Sequence, residues 1–332
     1  MILPTALFLA LIAQPALSAA TDRATWLWDA TMMQDSTQVA DFLAFAGSKG
    51  VKKVYAGVNA DVPNEAFRGF IEQCGAQGIA VGALIGNSQW ILDRGTPSLD
   101  DNLGWIEQYQ GSAPDNSTKF EEVHMDIEVR LPTPTYLPTY LPTRPSHASH
   151  FFAGKGGIRD ISGQVLLNIR TPQPWILEGW DTPAKQAQYV ASWQEKISAI
   201  ANFSRGLDMA VAADLPFWAN TIIPSSSSSS DSTTMDVWTL GVVDSATFMT
   251  YRSAPAQLLD VAAPALGAGD ATGKPVWLAV ETTDVGDAAL SYFGRTAGAL
   301  AADLVTVQEG ARAHASFAGI AVHDSVGWPA LA

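Results

Sequence analysis

Short apolar runs alternate with longer segments of helical periodicity along most of the chain. The runs are rich in β-branched and aromatic residues, which favour strands. Eight of them predict strands, at 25–29, 53–59, 80–86, 122–128, 207–214, 246–252, 276–282 and 318–323. Between them, apolar residues recur at helical spacing at 39–49, 64–77, 100–110, 185–203, 256–266 and 296–313. Strands that alternate with helices pair in parallel, so the pattern predicts a single α/β domain over residues 21–332, a (β/α)8 TIM barrel.

Two stretches interrupt this alternation. Residues 129–171 open with a duplicated TYLP sequence and carry five prolines between Pro132 and Pro145. We interpret them as an irregular insertion, either a genuine loop or a translated intron, and the sequence of the transcript distinguishes the two. Residues 224–234 contain the serine tract Ser225–Ser230, which predicts a low-complexity loop. We expect neither stretch to contribute to the core.

The first 20 residues have the character of a signal peptide. They carry an apolar run too short to span a bilayer, followed by small residues that suit cleavage near Ser18 or Ala20. This predicts a secreted, extracellular protein. Asn116 and Asn202 each begin an N-glycosylation motif, which agrees with secretion and with a glycoprotein in a eukaryotic host.

Composition and charge narrow the range of partners. Of 332 residues, 47% are hydrophobic, which is enough for a large core. The net charge of −14 disfavours binding to nucleic acid or to an anionic membrane. The single cysteine, Cys74, excludes an intramolecular disulfide and a cysteine-built zinc site, and its apolar neighbours predict a buried thiol. We expect a monomer that needs no cofactor.

Most of the predicted strands end in polar residues whose side chains can take part in catalysis or binding. In a TIM barrel the carboxyl ends of all the strands form one rim, where active sites of this fold are built. Residues far apart in sequence are therefore predicted to meet in one site. The polar residues that end the runs are Asp29, Asn59, Glu128, Asp214, Tyr251, Arg252, Glu281, His323 and Asp324.

The most informative segment is HMDIE, at residues 124–128. Alternate residues of a strand share a face, so His124, Asp126 and Glu128 are predicted to point the same way. Closely packed carboxylates raise one another's pKa, which suits Glu128 to donate a proton as a general acid. The same three residues also suit Zn²⁺ or Mn²⁺, which leaves a metal-dependent hydrolase as an alternative.

At these residues the chain resembles the TIM-barrel glycoside hydrolases. The stretch EEVHMDIE, at 121–128, and the stretch MTYR, at 249–252, are similar to the fourth-strand and sixth-strand motifs of family 18, the chitinases and their relatives. That resemblance implies that Glu128 is the general acid. It further implies that Asp126 and Tyr251 orient a substrate acetamido group, which acts as the nucleophile.

A second resemblance is to retaining glycosidases with catalytic glutamates at the ends of strands four and seven. Glu128 and Glu281 end the fourth and seventh predicted strands. The resemblance implies that Glu128 is the acid/base and Glu281 the nucleophile or base. The combination of DIE, MTYR, VET and AVHD is also similar to that of secreted barrel proteins related to glycosidases. Together these resemblances imply a glycoside hydrolase that cleaves a polysaccharide or a glycoconjugate.

Other residues at the predicted rim suit substrate binding. Arg252 is placed to hold Asp126 or Glu281 ionised or to bind an acidic sugar, and His323 to bind a hydroxyl or relay a proton. Asp29 and Asp214 are interpreted either as hydroxyl-binding residues or as helix caps.

The chain contains 11 tryptophans, and five of them lie near predicted strand ends, at Trp28, Trp90, Trp175, Trp218 and Trp328. Aromatic faces stack on sugar rings, and the indole adds a hydrogen-bond donor. These side chains are therefore candidates for the substrate-binding surface. The same features also suit a non-catalytic carbohydrate-binding barrel, which remains the alternative from another class of protein.

Overall fold

The computed structural model describes residues 22–92, 96–127, 182–224 and 233–332. Its eight strands pair in parallel in the order of the sequence, and the eighth returns to the first, which closes a barrel. The predicted (β/α)8 fold is confirmed. The strands are β1 (Asp22–Leu27), β2 (Val51–Gly57), β3 (Ala80–Ile85), β4 (Glu122–Met125), β5 (Ala210–Pro216), β6 (Ser245–Met249), β7 (Val276–Glu281) and β8 (Phe317–His323).

Helices follow the strands along the chain and cover the outside of the barrel. All six predicted helices form. Among the described residues the helices are α1 (Ser36–Lys49), α2 (Asn64–Ala76), α3 (Thr96–Ser112), α4 (Pro183–Gly206), α5 (Met235–Val242), α6 (Pro255–Thr272) and α7 (Ala297–Ala311). The sequence analysis missed α5, because its eight residues are mostly apolar and too few to establish a helical period.

Local sequence explains where individual helices begin and end. The Asp35 carboxylate accepts hydrogen bonds from the backbone N–H groups of Thr37 and Gln38, which caps the first turn of α1. Gly50 ends the same helix in a left-handed conformation, with φ at 67°, which glycine adopts without steric cost. Cys74 lies in α2 and is fully buried, as predicted, and burial raises the pKa of its thiol to about 12.

The barrel interior combines large side chains with glycines. Trp277 of β7 faces Gly319 of β8, where an added Cβ would lie 2.4 Å from the indole ring. Glu122 of β4 likewise lies against Gly82 of β3, where a Cβ would lie 2.9 Å from the Glu122 Cγ. Inward-facing glycines thus make room for bulky or charged neighbours in a closed, densely packed barrel.

Strand β5 differs from its prediction in a way that affects the site. It was predicted at 207–214, whereas helix α4 continues through residue 206 and the strand runs from Ala210 to Pro216. Asp214 therefore lies two residues inside the strand. Its side chain points into the barrel and does not end the strand as predicted.

Several predictions lie outside the described residues. These are the signal peptide at 1–20, the insertion at 129–171, the proposed acid Glu128, Trp175 and most of the serine-rich loop at 224–234. Asn116 and Asn202 are described and both are exposed. Their glycosylation remains a prediction.

Candidate active site at the carboxyl ends of the strands

Glu281 ends β7, and its carboxylate is held by the residues that follow it. Its Oε1 atom accepts hydrogen bonds from the backbone N–H groups of Thr282 and Thr283, at 2.8 and 2.7 Å, and from the Thr283 hydroxyl at 2.8 Å. The side chain of His323 lies beside it, with Nδ1 3.1 Å from Oε1 and 3.0 Å from Oε2. The donors on Oε1 fix the orientation of the carboxylate and leave Oε2 with His323 as its close neighbour.

These contacts keep Glu281 ionised. The residue is only 4% exposed, and burial by itself would raise its carboxyl pKa. The hydrogen bond and charge of His323, together with the hydrogen bonds from Thr283, outweigh burial and hold the pKa below its usual range. Glu281 is therefore a carboxylate at neutral pH, as a nucleophile or base requires.

His323 ends β8 directly opposite Glu281 in the strand register. Burial would lower its pKa, but the carboxylates of Glu281, Asp324 and Asp126 raise it to about 9. On its other side, the indole N–H of Trp28 donates to its Nε2 at 2.9 Å. His323 therefore links a buried carboxylate to an aromatic side chain that is 38% exposed.

Three predicted rim residues lie around the Glu281–His323 pair, namely Trp28, Asp126 and Tyr251. Asp126 follows β4, is partly buried and lies close enough to raise the pKa of His323. The ring of Tyr251, which follows β6, lies 6.4 Å from the His323 ring. The structure thus brings Trp28, Asp126, Tyr251, Glu281 and His323 together at the carboxyl end of the barrel, as the strand-end pattern predicted.

His124 and Asp214 lie deeper, inside the barrel. His124 is fully buried, and its Nε2 lies 2.8 Å from Asp214 Oδ1. Asp214 Oδ2 accepts the indole N–H of Trp26 at 3.0 Å. His124 also stacks on Tyr55, with ring centroids 3.6 Å apart. Both residues are thus held by protein groups below the rim.

An ion pair extends this interior cluster toward the amino ends of the strands. Glu122 Oε1 lies 3.5 Å from His124 Nδ1, and Glu122 Oε2 accepts a 2.7 Å bond from Lys53 Nζ. Burial would lower the pKa of His124, but Asp214 and Glu122 outweigh it and raise the pKa to about 9. A protonated His124 and Lys53 balance the charges of Glu122 and Asp214, which a low-dielectric interior demands.

The remaining predicted site residues have other surroundings. Asp29 is exposed and caps a short 3-10 helix by accepting from the Thr31 backbone N–H at 2.9 Å. Trp90 is 1% exposed and packs in the core, whereas Trp218 is partly buried. Arg252 lies over the Phe217 ring, 4.8 Å from its centroid, and donates to the Tyr251 carbonyl at 2.7 Å. Neither contact joins Arg252 to Glu281.

The sequence analysis missed several residues that shape the site, chiefly Thr282, Thr283, Trp26 and Lys53. The two threonines follow the strand end directly, so the run of hydrogen-bonding residues after Glu281 was a usable signal. Trp26 lies two residues before Trp28 and shares its face. A lysine inside the buried strand VKKVYAG was the corresponding signal for an interior ion pair.

A cavity of about 490 Å³ borders the loop that follows Glu281. Thr282 and Thr283 form one wall, and Phe293 and Val326 line it with exposed apolar surface.

Within the part of the chain that the structure describes, no group of three His, Cys, Asp or Glu side chains is arranged to hold a metal ion. Over the same residues, no helix has the length and apolar character needed to cross a membrane.

The fold and this site define a (β/α)8 barrel with a buried glutamate–histidine pair at the carboxyl ends of β7 and β8. No protein-family model and no curated protein sequence matches the chain. Among solved structures, it is similar to a GH113 β-1,4-mannanase, at 11% identity and a TM-score of 0.50, over 92% of this chain and 87% of that one.

A second similar structure is a putative α-L-fucosidase from Bacteroides thetaiotaomicron, at 10% identity and a TM-score of 0.50, over 98% of this chain and 91% of that one. A deoxyribose phosphate aldolase from Aeropyrum pernix is also similar, at 10% identity and a TM-score of 0.41, over 92% and 86% of the two chains. At these identities the likeness to the mannanase and to the putative fucosidase shows the fold alone. Barrels of this kind carry many different chemistries, so the function must be argued from the site.

Proposed function

We propose that this protein is a secreted glycoside hydrolase that cleaves a polysaccharide or a glycoconjugate. The observation that carries the proposal is the state of Glu281. It is an ionised carboxylate at the carboxyl end of a barrel strand, with one oxygen fixed by three donors from the following loop. A fixed, ionised carboxylate at this end of the barrel suits attack on an anomeric carbon.

In the proposed reaction Glu128 is the acid and Glu281 the nucleophile. The Glu281 carboxylate forms a bond to the anomeric carbon while Glu128 gives its proton to the glycosidic oxygen, and the bond between that carbon and oxygen breaks. Water then attacks the glycosyl–enzyme ester and gives its proton to Glu128, which releases Glu281 and restores both carboxyl groups. In an inverting variant of the reaction, Glu281 instead acts as the base that activates the water.

The rim residues have supporting roles in this proposal. The Trp28 ring, 38% exposed, offers a face for a sugar ring, and Tyr251 offers a hydrogen bond to a hydroxyl, whereas Glu281 and Trp28 already occupy both ring nitrogens of His323. If a substrate acetamido group is the nucleophile, Asp126 orients that group and Glu281 becomes a binding residue. Asp29, Trp218 and Arg252 remain proposed contacts farther along the substrate, whereas burial of Trp90 and Asp214 favours supporting roles for them.

The test is release of reducing ends from a glycan panel by the purified protein. The panel contains chitin oligomers, β-glucans, galactosaminogalactan and mannans, and the variants are Glu128→Gln and Glu281→Gln. Removal of a general acid or base lowers the rate by about 10²–10⁴. Glu107→Gln, at an exposed glutamate of α3, is the matched control and should retain full activity.

Each outcome has a distinct meaning. Loss of turnover in both site variants, with the control intact, supports the proposed roles. Loss in Glu128→Gln alone, on acetamido sugars only, favours the substrate-assisted reaction. Turnover that survives both substitutions removes these glutamates from the chemistry, and binding of glycans by a wild type without turnover identifies a carbohydrate-binding barrel instead.

A further inference from the structure

Two tryptophans, one in the first barrel strand and one directly after it, converge on His323. Trp26 lies in β1, and Trp28 is the first residue after that strand. The Trp26 ring lies 5.5 Å from the His323 ring at 63°, and the Trp28 ring lies 6.0 Å away at 66°. Both arrangements are edge-to-face. The imidazole is therefore packed between Trp26 below and Trp28 at the rim.

Of the two tryptophans, only Trp28 also forms a hydrogen bond with the His323 imidazole. Its Nε1–H donates to His323 Nε2 at 2.9 Å, which requires an unprotonated lone pair on that nitrogen. In a neutral imidazole the proton then resides on Nδ1, the nitrogen that faces Glu281. The tautomer selected by Trp28 is thus the one that donates to the Glu281 carboxylate.

Trp26 has a different role, because its indole N–H is already occupied by Asp214. Asp214 is in turn bound to the buried His124, so Trp26 is a rigid support beneath His323. Rotation of the imidazole by half a turn about the Cβ–Cγ bond would place Cδ2 toward Glu281 and Cε1 toward Trp28, so both hydrogen bonds would be lost. Glu281 and Trp28 together therefore fix the orientation of the ring, and the indole N–H of Trp28 is the group that selects its tautomer.

We propose that Trp28 is a positioning residue that holds the neutral form of His323 as the Nδ1–H tautomer, with that proton directed at the Glu281 carboxylate. The tautomer itself is independent of the reaction, and only its catalytic consequence rests on the proposed function. Trp28 opposes the influence of the carboxylates around His323, which are Glu281 from β7, Asp324 from the end of β8 and Asp126 from the end of β4. They favour the imidazolium, whereas a donor on Nε2 favours the neutral ring.

The test is a ¹⁵N NMR titration of the His323 ring in the wild type and in Trp28→Phe. Phenylalanine keeps an aromatic ring at the rim and removes the N–H donor together with the five-membered part of the indole. In the wild type, above its titration midpoint, we expect the proton on Nδ1 and a lone pair on Nε2. In Trp28→Phe the midpoint should move upward by about half a unit to one unit, because one neutral hydrogen bond no longer stabilises the unprotonated ring.

Two controls make the experiment specific. Trp105→Phe applies the same substitution on the outer helix α3, where Trp105 packs against Phe67, and should leave the His323 midpoint unchanged. His314 gives an internal reference in the same spectra, since its exposed pair with Asp270 is on the outside of the barrel. A midpoint in Trp28→Phe that stays or falls, or a wild-type ring that carries its neutral-state proton on Nε2, overturns the proposal.

This readout needs no substrate, so it separates the inference from the proposed function. If the protein turns over a glycan, the acid limb of its kcat/KM profile should shift in Trp28→Phe in the same direction as the His323 midpoint. A change in KM alone would indicate that Trp28 only binds sugar. A protein with no turnover but with the expected titration keeps the inference and loses the hydrolase.

Discussion

The barrel contains two histidines in closely similar chemical settings and with different access to solvent. His124 lies between Asp214 and Glu122, and His323 lies beside Glu281 with Asp126 and Asp324 near it. Acidic neighbours raise the pKa of each imidazole to about 9. Yet His124 is fully buried, whereas the His323 side chain is 12% exposed and bonds to the exposed Trp28.

A shifted pKa therefore does not by itself mark an active site. His124 belongs to a closed cluster with alternating charges, in which Lys53, Glu122, His124 and Asp214 balance one another. That arrangement supports the barrel from within. His323 has the same kind of partners but stands at the end of its strand, next to a side chain that a ligand can reach. Position along the barrel axis therefore separates the structural pair from the candidate site.

The strongest test of this comparison removes each histidine in turn. His124→Gln leaves the carboxylate of Asp214 in the interior without its cation and leaves Glu122 with Lys53 alone, so the free energy of unfolding should fall by about 3–5 kcal/mol. His323→Gln should cost less, because solvent reaches the rim. Urea unfolding of both variants measures the two losses.

A matched control comes from an exposed pair of the same kind. His314 Nδ1 lies 2.7 Å from Asp270 on the outside of the barrel. His314→Gln should change stability little, because solvent screens an exposed pair. If His323→Gln destabilises the protein as much as His124→Gln does, the rim pair is as structural as the interior one.

Stability should also depend on pH through His124. A histidine whose folded pKa of about 9 exceeds its ordinary value of 6.5 contributes stability that is complete below pH 6.5 and is lost as the pH rises through 9. The gap in unfolding free energy between the wild type and His124→Gln should therefore narrow as the pH is raised through this window. Urea titrations across it measure the gap.

Because His323 has a pKa raised to the same value, the pH series is repeated in a His323→Gln background. There the dependence assigned to His124 should persist. A gap that widens with pH would contradict a protonated His124 in the folded barrel.

The smallest expected effect concerns the threonine that holds Glu281. Thr283→Val keeps the shape of the side chain and removes the hydroxyl that donates to Oε1 at 2.8 Å. Loss of a donor to the ionised form raises the pKa of Glu281, by about one unit or less since both backbone donors remain. A ¹³C titration of the Glu281 carboxyl carbon measures the shift.

Thr306→Val is the control, because Thr306 is exposed on α7 and its hydroxyl bonds only within that helix. It should leave the Glu281 titration unchanged. A Glu281 midpoint that stays fixed in Thr283→Val would mean that His323 and the backbone alone keep this carboxylate ionised.

Much of the architecture was predictable, because a periodic pattern survives in any compact fold. All eight strands form where β-branched and aromatic residues cluster, and the barrel closes as their alternation with helices predicts. Alternation along residues 124–128 also predicted that His124 and Asp126 share a face: His124 pairs with the inward-facing Asp214, and Asp126, directly after β4, lies close enough to His323 to raise its pKa. The short helix α5 was not predicted, because eight mostly apolar residues are too few to show a helical repeat of apolar and polar positions.

Depth along the barrel was not predictable from the same patterns. The sequence of β5 placed Asp214 at the rim, whereas the strand continues to Pro216 and the carboxylate meets His124, 90 residues away in sequence. Likewise, Trp90 follows a strand end but is 1% exposed, because its short 3-10 helix packs into the core. A strand-end pattern cannot distinguish a rim side chain from one that lies a layer lower.

The number of strands, their order, and which residues of each strand share a face depend on local periodicity, so they can be predicted from the sequence. Which carboxylate meets which histidine depends on how the strands are assembled in the barrel. Those pairs join β4 to β5 and β7 to β8, and they depend on the stagger between neighbouring strands when the barrel closes. Stagger is a property of the closed sheet as a whole, so it sets the depth of each inward residue and separates the interior cluster of His124 from the rim pair of His323.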